Sequence, residues 1–213
     1  MRGLFISGGG TDVGKTYVAL RLIKILNKKH QVKARKPIES DCKKTSSGLV
    51  PRDATLLSKA CNTKEPIEKV CSFCFEACVS PEKASKDKDV TITLNMLVSA
   101  CQTDNTKDYI VVEGAGGIYS PIASKTLNID LAKALSLPVV LIIKDELGAI
   151  NQALLSLQAA QQQGLKVAMI VLNQIHANSL DNKKAISSYT KTPVVIFRDN
   201  DPKGFERDVE SLV

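Results

Sequence analysis

Tryptophan is absent from this chain and aromatic residues make up only 4% of it, which excludes a core built on stacked rings. Hydrophobic residues still reach 44%, so the core has to be aliphatic, as in the buried strands of a parallel α/β sheet. No apolar run approaches the roughly 18 residues a membrane span needs. The first residues lead almost at once into a short apolar run and a glycine-rich turn, with no stretch that reads as a signal peptide. A cytoplasmic protein with no membrane partner is therefore expected. Histidine is scarce, only His30 and His176, and no Ser/His/Asp arrangement for nucleophilic catalysis can be assembled. The same scarcity denies Cys71-x-x-Cys74-x-x-x-Cys78 the second CxxC pair or spaced histidines that usually complete a thiolate metal site. All six cysteines (Cys42, Cys61, Cys71, Cys74, Cys78 and Cys101) are read as reduced thiols.

The net charge is +7. Its lysines are scattered (Lys43-Lys44, Lys83, Lys86, Lys88, Lys183-Lys184) rather than gathered with aromatics on one basic face, so no nucleic-acid partner is expected. Neither an internal repeat nor a linker is visible, and one domain over residues 1–213 is the natural reading.

What is present is concentrated in a few stretches. Gly9 to Thr16 reads G-x-x-x-x-G-K-T, the phosphate-binding P-loop pattern. Its glycines let the backbone turn with positive φ and bring N–H groups close to an anion, and the following helix N-terminus adds partial positive charge. Lys15 would reach the β- and γ-phosphates, and the Thr16 hydroxyl would ligate Mg²⁺, which prefers oxygen. The context fits: Leu4 to Ser7 is a short apolar run, and Val18, Leu22, Ile25 and Leu26 follow at helical spacing.

Further along, Val32 to Lys36 reads as a strand stopped by Pro37, and Ile38 to Pro51 as a polar loop at its end. Lys36 and Ser40 thereby lie at the carboxyl end of a strand, where open α/β sheets bind ligands. Arg52 to Cys61 reads as a short helix, with Asp53 in its first turn as either a dipole partner or part of a magnesium site. Glu65 to Asp89 is expected to be irregular, with at most one short strand. Thr91 to Gln102 follows as an amphipathic helix. Asp108 to Gly117 is a buried strand ending in Glu113 and a glycine-rich turn, Gly114-Ala115-Gly116, which puts a carboxylate near magnesium and the γ-phosphate. Ile129 to Leu135 reads as a helix, and Val139 to Ile143 as a strand apolar on both faces, hence central. A helix opened by Gly148, Ala149, Ile150 and Asn151 runs to about Gln163, with Gly164 at its C-terminus. Val167 to Leu172 is another strand, closed by Asn173, a base-recognition group or a turn former. A last strand, Val194 to Phe197, precedes a helical tail from Asp201. Strand and helix alternate throughout, which predicts an α/β fold: a doubly wound, mostly parallel sheet flanked by helices, of the P-loop NTPase type.

Four motifs in this order, GGGTDVGKT at 8–16, KPIES at 36–40, VEGAGGIYSP at 112–121 and LGAIN at 147–151, resemble those of the dethiobiotin synthetases. The resemblance implies an enzyme that joins CO₂ to 7,8-diaminononanoate with MgATP, through a carbamate and a carbamic–phosphoric anhydride, giving dethiobiotin, ADP and phosphate. It implies catalytic roles for Lys15 and Lys36 in neutralising charge, and for Thr11 and Ser40 in holding the carbamate and substrate nitrogens. Asp12 lies on the substrate side. ATP would be held by Gly9, Gly10, Thr11, Asp12, Val13, Gly14, Lys15, Thr16 and Tyr17, with Glu113, Gly114, Ala115 and Gly116, and by Asn173 at the adenine. Thr16, Asp53 and Glu113 would bind Mg²⁺. It also implies a homodimer in which Gly148, Ala149, Ile150 and Asn151 reach the partner's substrate carboxylate through a helix N-terminus. The chain departs from the family pattern at Gly10, often Asp, in the Cys71–Cys78 run, and after Val194. Two rival classes share the fold. Partition ATPases carry an extra P-loop lysine where Gly10 stands, and amidating ligases of the cobyrinate type carry a glutaminase domain for which 213 residues leave no space.

Overall fold

Alternation of apolar side chains between two faces explains the central sheet. In the computed structural model, which describes residues 1–212, Phe5 points into one core while Leu4 and Ile6 point into the other. Val139, Leu141 and Ile143 likewise oppose Val140 and Ile142. A strand covered on both sides has no polar face to show, so these segments read as continuous hydrophobic runs.

In chain order the elements are β1 (Gly3–Gly8), α1 (Lys15–Leu26), β2 (Val32–Arg35), β3 (Ile38–Glu39), β4 (Lys43–Thr45), β5 (Gly48–Val50), α2 (Arg52–Ala60), α3 (Ile67–Val70), β6 (Phe73–Cys74), α4 (Pro81–Lys86) and α5 (Leu94–Ala100). They continue with β7 (Tyr109–Glu113), β8 (Pro121–Ala123), β9 (Thr126–Leu127), α6 (Asn128–Leu135), β10 (Val139–Lys144), α7 (Ala149–Gln162), β11 (Val167–Asn173), α8 (Asn182–Ser187), β12 (Val194–Phe197) and α9 (Pro202–Glu210). Six strands form one sheet in the order β12-β11-β10-β1-β7-β2, with every pairing parallel. Helices α1, α2 and α9 cover one face, and α5, α6 and α7 the other. The chain leaves β1 toward β2 on one side and returns from β7 to β10 on the other, so β1 lies where the winding reverses. Ligands in open α/β sheets bind at the carboxyl ends of strands at such a point. There the sheet delivers the P-loop from β1, Glu113 from β7 and Asn173 from β11.

Two stretches expected to be irregular are not. Residues 38–51, read as a loop, contain β3 and the antiparallel hairpin β4–β5, which pairs Lys43 with Val50. Both hairpin strands are largely exposed, so burial imposes no alternation on their sequence. Residues 65–89 hold the one short strand expected, β6, but also α3 and α4, which at four and six residues are too short to show a helical period. The second of these did carry a local sign. Ser80 accepts from the Lys83 N–H at 3.4 Å and Pro81 opens the helix, the usual chemistry of a helix start. Helix α8 and the β8–β9 pair were also without a sequence signal.

Candidate active site

Gly14 at φ 87° and Asp12 at φ 58° are both left-handed in the P-loop. At Gly14 a side chain is excluded twice over, because a Cβ would also strike the Asn173 amide. Asn173, buried at the end of β11, donates from Nδ2 to the Val13 carbonyl at 3.0 Å and so ties that strand to the loop. On the other side the Ile118 N–H donates to the Gly8 carbonyl at 3.1 Å. The glycine-rich turn after Glu113 is pinned by Asn128, which is fully buried. Its Nδ2 donates to the carbonyls of Ala115 (2.5 Å) and Gly117 (2.7 Å), and its Oδ1 accepts from the Ala115 N–H (3.1 Å). These bonds hold both glycine-rich turns in place, the preorganisation an anion site needs.

Between the two turns lies a buried cluster of charge. Lys36 Nζ donates to Glu113 Oε1 at 2.7 Å and to the Gly114 carbonyl at 3.1 Å, and it lies 3.6 Å from Asp53 Oδ2. Thr16 Oγ1 donates to the same Glu113 oxygen at 2.8 Å. Lys36 and Glu113 are 4% and 1% exposed. Burial lowers the Lys36 pKa, but the carboxylates of Glu113 and Asp53 outweigh it and hold the pKa above the ordinary lysine value. Lys36 therefore stays an ammonium.

Lys15 behaves differently. Its Nζ folds back onto the Gly10 carbonyl at 2.8 Å. Burial and then the neighbouring Lys36 ammonium lower its pKa to about 8. Phosphates beside Lys15 would favour its charged form, so above about pH 8 nucleotide binding must take up a proton, and affinity for MgATP should fall as pH rises from about 7 to about 9. Calorimetry in buffers of different ionisation enthalpy reads that proton directly. Equal affinity at both ends of the range, with no uptake, would contradict the assignment.

The backbone of Asp53 is held by a residue for which the sequence reading gave no role. Glu39, buried in β3, accepts from the Asp53 N–H and the Ala54 N–H, each at 2.9 Å. Helix α2 begins after Pro51 with no side-chain cap of its own, so Glu39 caps it from fourteen residues upstream. Glu39→Ala is expected to cost about 1–2 kcal/mol, as other lost caps do. It should lower the melting temperature by about 2–8 °C. Glu39→Gln should lie between, and an unchanged melting temperature for the alanine variant would deny the capping role.

The remaining positions fall around this cluster. Thr11, Asp12 and Tyr17 are exposed, while Gly9, Gly10 and Ser40 are half-buried. The Tyr17 ring meets Phe197 edge-on at 5.6 Å. Gly148, Ala149, Ile150 and Asn151 open α7, where Gly148 takes φ 94°. No side-chain hydrogen bond joins them to Lys15, Lys36 or Glu113 among the described residues. Beside Gly9 and Gly10 an open cavity of about 640 Å³ runs past Tyr119 and Ser120 to Leu155 and Gln162 on α7. Asp145, buried at the end of β10, accepts from Gln174 Nε2 at 2.7 Å and Asn182 Nδ2 at 2.8 Å, which fixes the turns after β10 and β11.

The donors around Glu113 suit a hard cation. Glu113 Oε2 is buried and has no hydrogen-bond partner among the described residues, and beside it stand a hydroxyl and a second carboxylate. All are oxygen, as Mg²⁺ requires.

Comparison with known proteins places these features in context. A family described as an AAA domain matches residues 2–196. The whole chain is 54% identical to an ATP-dependent dethiobiotin synthetase of Vesicomyosocius okutanii, covering 97% of it. It is 52% identical to the enzyme of that name from Ruthia magnifica, covering 99%, and 34% identical to one from Clostridium botulinum strain Loch Maree, covering 96%. Among solved structures, a plasmid partition protein from Borrelia burgdorferi superposes over the full length of both chains with a TM-score of 0.61 at 12% identity. A ParA family ATPase from Chlorobium tepidum gives 0.57 at 13% identity, over all of this chain and 92% of that one. At such identities the likeness is one of fold.

Proposed function

The chain belongs to the dethiobiotin synthetase family, and from that membership and the geometry above we propose how its residues carry out an ATP-dependent ring closure on 7,8-diaminononanoate. The single observation that carries the reading is the buried chain Thr16–Glu113–Lys36 alongside the P-loop lysine. Two lysines and a set of oxygen ligands close to the P-loop support a site for the γ-phosphate there.

Phosphoryl transfer to a carbamate needs positioning and charge neutralisation more than covalent catalysis. CO₂ adds to a free amine of the substrate, and the carbamate oxygen attacks the γ-phosphorus. Lys15 and Lys36 neutralise the charge shared between the phosphate and the carbamate, in a setting already desolvated by the fold. Thr11 and Ser40 orient the carbamate and the substrate nitrogens, with Asp12 on the substrate side. The second amine then attacks the carbamoyl carbon, the ring closes and phosphate departs. Asn173, locked against Val13, faces the adenine.

Thr16, Asp53 and Glu113 would hold Mg²⁺, which when bound neutralises phosphate charge; its unpartnered Glu113 oxygen supports that assignment. The protein works as a homodimer in the cytoplasm. In that dimer the start of α7, with its free N–H groups, meets the partner's substrate carboxylate. No helix is long and apolar enough to cross a membrane among the described residues.

The route through a carbamate has an isotopic signature. With ¹⁸O-labelled CO₂, supplied faster than it exchanges with water, the released phosphate should carry one labelled oxygen, because the attacking oxygen leaves with phosphorus. Unlabelled phosphate, with all label retained in the ureido carbonyl or lost to water, would rule that route out.

A further inference from the structure

The mechanism makes no use of the Cys71-x-x-Cys74 pair, yet the fold builds it into the back of the active-site loop. Cys71 Sγ and Cys74 Sγ lie 3.5 Å apart. Cys71 is buried, Cys74 is half-exposed, and both are free. The segment that carries them is hydrogen-bonded along the whole Lys36–Cys42 stretch. The Lys36 N–H donates to the Val70 carbonyl (2.8 Å), Phe73 N–H to Pro37 (3.1 Å), Phe75 N–H to Glu39 (2.9 Å), Asp41 N–H to Ala77 (3.1 Å) and Cys42 N–H to Phe75 (2.9 Å). In the β3–β6 ladder Glu39 stands opposite Cys74. Lys36 and Glu39 are thus held in place by the same backbone that spaces the two sulfurs.

Sulfur chemistry at this place favours an oxidised pair once it forms. Cys71 is the C-cap residue of α3. The Cys42 thiol lowers the Cys74 pKa, but the Cys71 thiol and burial raise it further, to about 12. A Cys74 thiolate that gains so little from its surroundings does not favour the reduced form, so the disulfide resists reduction once made.

We propose that Cys71 and Cys74 form a reversible disulfide that couples thiol redox state to the placement of Lys36 and Glu39. The oxidant class is a small-molecule disulfide. Its sulfur is attacked by Cys74, the more accessible member, through the small fraction present as thiolate; the proton Cys74 gives up ends on the small thiol released, and a mixed disulfide remains. Cys71 then attacks Cys74 Sγ, releasing the second small thiol. Two protein thiols and one disulfide become one protein disulfide and two thiols, with both protons carried on the products. The sulfurs must close from 3.5 Å to about 2.05 Å, which draws β6 against the end of α3 and displaces the ladder on Lys36–Cys42.

The effect on turnover rests on the function proposed above; the effect on the ladder does not, and the test separates them. The full chain is treated with oxidised glutathione, then alkylated and mapped by mass spectrometry, with Cys74→Ser and Cys71→Ala variants as controls for folding and a Cys78→Ser variant for the exposed thiol. The expected result is a Cys71–Cys74 link with the mass loss of two hydrogens. Amide exchange at Lys36, Asp41 and Cys42 should accelerate at least about tenfold, as it does where hydrogen bonds open locally. Dethiobiotin formation should fall by a similar factor and be restored by dithiothreitol, and Cys74→Ser should keep its activity under oxidation. A link to Cys42 or Cys78 instead, a persistent mixed disulfide, or a Cys71–Cys74 link that leaves the three amides unchanged would overturn the proposal. If reduced protein makes no dethiobiotin while the exchange still responds, the function reading fails and the coupling stands.

Discussion

Lys36→Ala should lose about 10²–10³-fold or more in turnover, the scale seen when one preorganised charge donor is removed from a transition state. Its affinity for MgATP should change only a few-fold. The asymmetry follows from where the bonds are. Phosphates would be cradled by P-loop N–H groups and Lys15, all of which survive the substitution, whereas Lys36 reaches in from the end of β2 and its ammonium meets Glu113, Gly114 and Asp53. Lys36→Arg should not rescue, because a planar guanidinium does not fit the space of a compact ammonium that donates to both a carboxylate and a carbonyl. Nucleotide binding and steady-state turnover, measured side by side, check this. Near-normal turnover would remove Lys36 from the mechanism, and a lost ATP affinity would reassign it to ground-state binding.

Glu113→Ala is expected to give the largest loss of stability. The substitution leaves the Lys36 ammonium, 4% exposed, without its nearest carboxylate, and breaking a buried pair from one side costs about 3–5 kcal/mol. Activity should be lost as well, since Thr16 loses its acceptor and the cation site its buried oxygens. Glu113→Gln should recover much of the stability, by keeping an oxygen for Thr16 and Lys36, while remaining poorly active. Pairing Glu113→Ala with Lys36→Met should restore more stability than the sum of the two single changes allows, because the uncompensated charge disappears. Denaturant midpoints of the four proteins form the cycle. A Glu113→Ala protein as stable as its parent would mean that the pair is not held as described.

Much of this was legible because it is local. The P-loop pattern, the strand ending in Glu113 and the apolar run 139–143 each carry their meaning within about ten residues, and the fold placed them as their period and punctuation predicted. The assignment of Lys36 needed the second strand to end at the same edge of the parallel sheet as the first, one strand away across β7, and alternation of strand and helix supplied that. What stayed hidden is contact between separated positions of ordinary appearance. Glu39 looks like a solvated acid in a loop, yet it caps α2. Asn128 looks like any polar residue opening a helix, yet it holds the turn at 115–117 through three hydrogen bonds. The β4–β5 hairpin escaped for the opposite reason: exposed on both faces, it is under no pressure to alternate.

Fold and chemistry separate clearly here. A partition protein shares the sheet at a TM-score of 0.61 but only 12% of the sequence, whereas two dethiobiotin synthetases share about half of it.

The most direct measurement is a product assay. Purified protein receives MgATP, bicarbonate and 7,8-diaminononanoate, with controls that omit each in turn, and the mixture is read by mass spectrometry. Dethiobiotin should appear only in the complete mixture. ATP hydrolysis that rises with protein concentration and yields no dethiobiotin would contradict the account and leave a nucleotide-dependent dimerisation switch in its place.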